Sequence, residues 1–305
     1  MSVFSFFLLL LFSATIMAGH RRAPISVANL KTDTTWLRQE LGRMHLPKDF
    51  IRDALKSYDK NSFAKVLQLN LLGFLHPPQH MDLVTDQAVR QCRVFLNQQD
   101  LAFQKAQKKY AVSPSVISAL LWVETKHGHD SGHFHVLSVY LDLLQTNLPR
   151  KRKKLTKLAL EKNIEFGRFS DRELKKLMHE RTKKRTQWAQ EQIRALAVIY
   201  RKKQMNLKTL EGSFAGAFGL SQFIPSSYQE YARAAKPGLS ANLYKPADAI
   251  MSVAHYLKKS GWQESRASTQ VTALMKYNNS QDYAESILEL AQRMLSTRVA
   301  NQNSK

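Results

Sequence analysis

A carboxylate on the apolar side of a helix is the first residue in this sequence that could do chemistry. Ser113 as an N-cap, with Pro114 at the first helical position, predicts a helix over 114–126 that Gly128 stops. Glu124 lies three, four and seven residues beyond Leu121, Leu120 and Ile117, on the apolar stripe of that helix. Burial there disfavours the charged form and raises the pKa. That is how an enzyme keeps a carboxylic acid protonated near neutral pH and able to donate to a leaving group. The helix alone also fits a structural glutamate paired with a neighbouring Lys or Arg, and both readings stand at this point.

Two later segments carry residue types that could hold a ligand near such an acid: GSFAGAFGLSQFIPSSY at 212–228 and YNNSQDYA at 277–284. The glycines at 212, 216 and 219 would let the main chain approach a bulky ligand, or let helices pack closely. No Gly-Lys-Ser/Thr follows them, which argues against a nucleoside triphosphate loop. His127, His129, His133 and His135 fall within nine residues, but without the helical spacing of H-E-x-x-H. A solvated or substrate-facing loop is expected there and no metal site. With Cys92 as the single cysteine, an intramolecular disulfide, a Cys-rich zinc module and an iron–sulfur cluster are all ruled out.

Taken in order, LLWVETKHG at 120–128, the segment at 212–228 and the segment at 277–284 resemble the lytic murein transglycosylase B family, glycoside hydrolase family 103. YAVSP at 110–114 and NLYKPADAI at 242–250 extend the likeness, which runs from about residue 36 to about residue 290. The resemblance implies a mainly α fold: a lysozyme-like catalytic core with an additional helical lobe and a small β element. It implies Glu124 as the catalytic acid/base. Ser213 and Gln222 would line the site beside it, and Tyr277, Asn278 and Tyr283 would face the sugar. The implied substrate is the glycan strand of peptidoglycan.

The carboxylate count then bears on mechanism. Glycoside hydrolysis ordinarily uses two carboxylates flanking the bond. Asp130 lies just after the first motif and Asp282 within the third, and neither matches a second catalytic position of the family. A transglycosylase needs one: Glu124 would protonate the oxygen bridging N-acetylmuramic acid and N-acetylglucosamine, then deprotonate the C6 hydroxyl that closes a 1,6-anhydro ring. Some members of the family hold calcium in an acidic loop aligned with 233–245. Residues 231–247 here contain no Asp or Glu, so calcium is not carried over and no cofactor is expected. The alternative is a non-catalytic peptidoglycan-binding protein on the same scaffold, which would have no use for a buried acid.

Apolar periodicity predicts helices to position these residues at 36–44, 50–55, 63–72, 83–110, 226–235, 246–260, 271–275 and 283–295, with no competing strand alternation. The 305 residues carry 46 Lys+Arg against 24 Asp+Glu, a formal net charge of +22. Residues 150–185 hold fifteen Lys/Arg against five Asp/Glu, so +10 of that charge lies in a basic insertion or lobe. Such a run is either a solvated helix face or an attractor for anionic wall polymers. No helix-turn-helix, RNA-binding motif or zinc finger accompanies it, so nucleic acid is not an expected partner. Residues 1–18, MSVFSFFLLLLFSATIMA, read as an export signal, too short in their apolar stretch for a mature transmembrane helix and without a lipoprotein cysteine after it. The expected mature chain is 19–305, periplasmic or secreted, without a membrane anchor.

Overall fold

The computed structural model describes residues 31–75 and 79–302. The expected export signal lies outside them. Among the described residues the chain forms thirteen α-helices: α1 Thr34–Arg43, α2 Lys48–Lys56, α3 Phe63–Leu72, α4 Asp86–Gln98, α5 Asp100–Tyr110, α6 Pro114–Thr125, α7 Val136–Leu144, α8 Pro149–Phe166, α9 Asp171–Arg201, α10 Pro225–Tyr231, α11 Pro246–Lys259, α12 Ala267–Tyr277 and α13 Gln281–Gln302. Two short strands, β1 Phe134–His135 and β2 Glu211–Gly212, pair antiparallel with Phe134 opposite Gly212. Among the described residues no helix is long and apolar enough to cross a membrane.

The core forms around α6. Its residues from Ser115 to Leu121 and from Val123 to Thr125 are all buried, so this is a central helix and not an amphipathic surface one. It packs against α4, α5, α11 and α13. A second fully buried helix, α7, lies against α3 and α9. The sequence reading assigns no helix to 136–144. The stretch VLSVYLDLL is buried all round, with Ser138 and Asp142 inside along with its apolar residues, and so shows no polar face against which to detect a stripe.

Where prediction and structure differ elsewhere, local backbone chemistry explains it. The run at 83–110 is two helices, because Gln99 leaves helical geometry at φ −113° and ψ 20°. The new start at Asp86 is capped by Thr85, whose hydroxyl accepts from the Ala88 N–H at 3.1 Å. The basic segment becomes α8 and the first half of α9. A capping box at Ser170 and Glu173 opens α9, which then runs 31 residues without a break.

Those two helices turn an apolar stripe of Leu155, Leu158, Ala159, Leu174 and Met178 inward. Three of the fifteen cations of 150–185 turn inward with that stripe. Lys151 is buried, its ammonium over the Phe63 ring at 4.6 Å and donating to Gln145. Arg181 stacks on Phe74 at 4.3 Å, and Arg185 is buried beside Trp188. Arg150, Lys153, Lys157, Lys175, Lys176, Lys183 and Lys184 remain exposed.

Candidate active site

Glu124 occupies the last turn of α6, and the backbone beyond it is tightly specified. Lys126 and His127 both adopt left-handed conformations, at φ 49° and 58°. Their N–H groups turn back to the carbonyls of Trp122 (2.8 Å) and Leu121 (3.2 Å), which ends the helix before Gly128 is reached. At the other end Ser113 supplies no side-chain cap, its hydroxyl pairing with that of Ser115 at 2.6 Å instead. The His127 ring folds under α6, stacks on Phe95 at 4.0 Å and donates from Nε2 to the Ser118 carbonyl at 3.0 Å. Burial lowers its pKa to about 4, so it stays neutral.

Thr125 ties this helix end to the glycine-rich turn. Its hydroxyl donates to the Leu220 carbonyl at 2.9 Å and accepts from the Gly128 N–H at 2.9 Å. Within the turn the Ser213 N–H donates to the Ala217 carbonyl at 2.8 Å, and the Ser213 hydroxyl accepts from the Ala217 N–H at 3.3 Å. Gly216 (φ 78°) faces the Tyr140 ring so closely that a Cβ would come within 2.5 Å of it, and Gly219 (φ 73°) faces Leu243. Close packing therefore requires these glycines. Gln222 holds φ 47°, an uncommon state for a residue with a side chain, and its amide donates to the carbonyls of Gly219 (2.9 Å) and Ser131 (3.2 Å).

The third segment brings two tyrosines over the acid. The Tyr283 hydroxyl donates to Glu124 Oε1 at 2.5 Å, while Oε2 has no hydrogen-bond partner among the described residues. Tyr277 stacks near Tyr283 with ring centroids 6.4 Å apart and donates to the Ser221 carbonyl, which joins the turn to α12. Burial holds both phenols well above their ordinary pKa, and the nearby Glu124 adds to this. Asn278 is buried at the end of α12, where its carbonyl accepts from the Ser280 N–H at 2.7 Å and shapes the turn into α13.

Of the residues singled out from sequence, Tyr283 thus touches Glu124, and Tyr277 lies within its electrostatic reach. Gln222 joins through the Thr125 to Leu220 and Tyr277 to Ser221 bonds. Ser213 lies at the far end of the same turn, and Asn278 acts through the backbone.

Glu124 is 3% exposed and makes no ion pair among the described residues. Burial raises its pKa to about 8, against the lowering effect of the Tyr283 hydrogen bond. A protonated acid with one oxygen held by a phenol and the other free is equipped to give up a proton and to take one back.

Among the described residues no group of three or more His, Cys, Asp or Glu is gathered so as to hold a metal ion. Oxygen partners engage the ring of His135 as they do that of His127, Nδ1 at 2.7 Å from the Ser138 hydroxyl and Nε2 at 2.8 Å from the Leu207 carbonyl. The loop at 232–245 is closed by a carboxylate from outside it: Asp248 accepts from the N–H groups of Ala235 and Asn242, each at 2.8 Å. A cavity of about 490 Å³ opens elsewhere, lined by residues such as Asp53, Tyr200 and Lys208, none of them from these motifs.

The Transglycosylase SLT domain family model matches residues 78–273. Membrane-bound lytic murein transglycosylase B of Escherichia coli (strain K12) is 31% identical over 179 residues. That match covers 59% of this chain and 40% of the relative's length. The structure of the Escherichia coli lytic transglycosylase Slt35 in complex with bulgecin A superposes with a TM-score of 0.65 at 20% identity, over 90% of this chain and 100% of that one. SltB3 from Pseudomonas aeruginosa, in complex with NAG-NAM-pentapeptide, gives 0.61 at 17% identity over 86% and 78%. The structural likenesses establish the lysozyme-like, mainly α fold with its small β element.

Proposed function

The chain belongs to the transglycosylase SLT domain family, and from that premise we propose that it is a lytic transglycosylase cleaving peptidoglycan glycan strands without consuming water. The observation that carries this reading is the state of Glu124: buried, unpaired with any cation among the described residues, and with a pKa raised to about 8. The relatives support the substrate class, since one is named a murein transglycosylase and another holds a NAG-NAM-pentapeptide.

In this mechanism Glu124 enters as the acid. Its Oε2 proton passes to the oxygen bridging N-acetylmuramic acid and N-acetylglucosamine as the bond from that oxygen to C1 breaks. Tyr283, donating to Oε1, stabilises the carboxylate that forms. The substrate's own acetamido group supports the cationic centre. The C6 hydroxyl of the muramic sugar then bonds to C1 and returns its proton to Glu124, which restores the starting state. Gln222 and Tyr277 border the sugar site around this exchange, Ser213 and Asn278 hold the turns that carry it, and no cofactor takes part.

The exposed cations of α8 and α9 would attract anionic wall polymers, and the chain would act after export, in the periplasm or outside the cell. Incubation with purified murein sacculi, followed by mass spectrometry of the soluble products, tests the proposal. Anhydro-muropeptides are expected. Reducing-end muropeptides would mean a hydrolase, and bound sacculi with no product would mean a wall-binding protein.

A further inference from the structure

Tyr283 can hold Glu124 only if the start of α13 is itself held, and the residue before it makes that connection. Asp282 reaches back across the chain to the short 3-10 helix His80–Leu83. Its Oδ2 accepts from the His80 N–H at 2.5 Å and lies 2.9 Å from His80 Nδ1, and its Oδ1 accepts from the Met81 N–H at 3.4 Å. Burial works against the charged form, but these hydrogen bonds from His80 and Met81 outweigh it and keep the Asp282 carboxyl below its ordinary pKa.

His80 is buried, and its ring stands edge-on to Tyr283 at 5.4 Å and 88°. Tyr283 is thus bounded by His80 on one side and Tyr277 on another, with its N–H on the Ser280 hydroxyl at 3.3 Å. The charged residues near the clamp, Asp82 and Glu285, are exposed, and further along the helix Arg293 pairs with Asp86 and Arg93 donates to the carbonyls of Arg293 and Met294.

We propose that Asp282 is a positioning residue for the reaction, clamping His80 and the 80–83 turn onto the start of α13 so that the Tyr283 hydroxyl stays on Glu124 Oε1. The proposal rests on the reading of Glu124 as acid/base. Asp282 does not touch the substrate in this account. It acts through Tyr283, whose hydrogen bond favours the Glu124 carboxylate over the acid. Loosening the clamp therefore slows turnover and moves the alkaline limb of the pH profile upward, the direction expected when that hydrogen bond is lost. A purely structural aspartate would change neither the limb nor its dependence on Tyr283.

The experiment compares Asp282→Ala, the near-isosteric Asp282→Asn, Tyr283→Phe and the Asp282→Ala/Tyr283→Phe double variant, using soluble glycan strands released from sacculi. The expected result is a fall in kcat of about 10- to 100-fold for Asp282→Ala with KM within about twofold, and a smaller fall for Asp282→Asn. Both alkaline limbs should move upward, as in Tyr283→Phe, and the double variant should be no slower than Tyr283→Phe alone. Wild-type kcat in folded Asp282→Ala, an unmoved limb, or losses that multiply in the double variant would overturn the proposal. Should Asp282→Ala fail to fold, Asp282→Asn and His80→Phe, which keeps the ring but not Nδ1, carry the same comparison. An active Glu124→Gln would instead defeat the underlying reading of Glu124, which separates the two failures.

Discussion

Two buried carboxyls in this protein have nearly the same immediate surroundings and different positions in the fold. Glu124 Oε1 and Asp142 Oδ1 each accept from a tyrosine hydroxyl at 2.5 Å, that of Tyr283 and that of Tyr58. The second oxygen of each lacks a partner among the described residues, and burial raises both pKa values. Asp142, however, lies in the last turn of the fully buried α7, beneath a closed network. Tyr58 also contacts the Thr32 hydroxyl at 2.8 Å, Gln145 donates to Tyr58 at 3.2 Å, and the Lys151 ammonium reaches Gln145. Glu124 ends its helix against left-handed backbone at 126 and 127 and the glycine-rich turn. A tyrosine-bonded, protonated carboxyl is therefore not enough for catalysis. Both lie in the last turn of a helix; what sets Glu124 apart is that its helix end meets the glycine-rich turn and the start of α13, where that of Asp142 runs into the fully buried Gln145 and Thr146.

The largest effects should separate the two carboxyls outright. Glu124→Gln keeps the shape but cannot exchange a proton, so turnover on murein should fall on the order of 100- to 10,000-fold. Asp142→Asn should stay within about threefold of wild type. Stability should treat the two alike. A carboxyl whose folded pKa is raised destabilises the fold increasingly as pH rises from its unfolded pKa towards its folded one. For Glu124 that window runs from about 4.5 to about 8. Denaturant unfolding at pH 5 and pH 8 should show both variants gaining relative stability at the higher pH, by roughly 1 to 3 kcal/mol for Glu124→Gln. Activity lost equally in both would break the comparison.

The two tyrosines should divide in the same way, with smaller effects. Tyr283→Phe should lower kcat about 10- to 100-fold and move the alkaline limb upward, read from rates between pH 5 and 9. Tyr58→Phe should lower unfolding stability by about 1 to 2 kcal/mol through the unpaired Thr32, Asp142 and Gln145 groups, with kcat unchanged.

The basic segment adds a charge to the Asp142 side. Lys151 is part of that network, so Lys151→Ala should act on stability. Substituting the exposed Arg150, Lys153, Lys157, Lys175 and Lys176 with Gln should weaken sacculus binding severalfold in cosedimentation and blunt its salt dependence, leaving cleavage of short soluble glycans unchanged. Equal salt sensitivity in both proteins would make α8 and α9 a solvated surface.

The smallest effect concerns a third carboxylate, Asp248, both of whose oxygens are used in closing the 232–245 loop. Leu243 in that loop accepts from the Leu220 N–H at 2.9 Å and so supports the turn beside Glu124. Asp248→Ala should lower the melting temperature by a few degrees, about 1 to 2 kcal/mol, and calcium should neither restore it nor shift the wild type. A calcium-dependent rise in the wild-type melting temperature would contradict this account of the loop.

The sequence made Glu124 legible through two signals together, a charge on an apolar stripe and the motifs that accompany it. The charge alone is ambiguous, because a carboxyl buried among apolar residues can be structural, as Asp142 within VLSVYLDLL is. Helices with caps and amphipathic spacing were readable, whereas α7 was not, since uniform burial erases periodicity. Lys151 read as one more surface cation because packing on Phe63 is a long-range fact. The pairing of Asp282 with His80 joins residues about 200 apart with no local pattern. Thr125 as the bolt between α6 and the turn was equally hidden, although its place next to Glu124 in the first motif could have drawn notice.

The central claim is that Glu124 is an uncharged acid at neutral pH. Difference infrared spectroscopy of wild type against Glu124→Gln, recorded from pH 5 to 9, reads that state directly. A protonated-carboxyl band present at pH 7 and lost with a midpoint near pH 8, coincident with the alkaline limb of kcat/KM, is the predicted result. A carboxylate band already complete at pH 6 would contradict it.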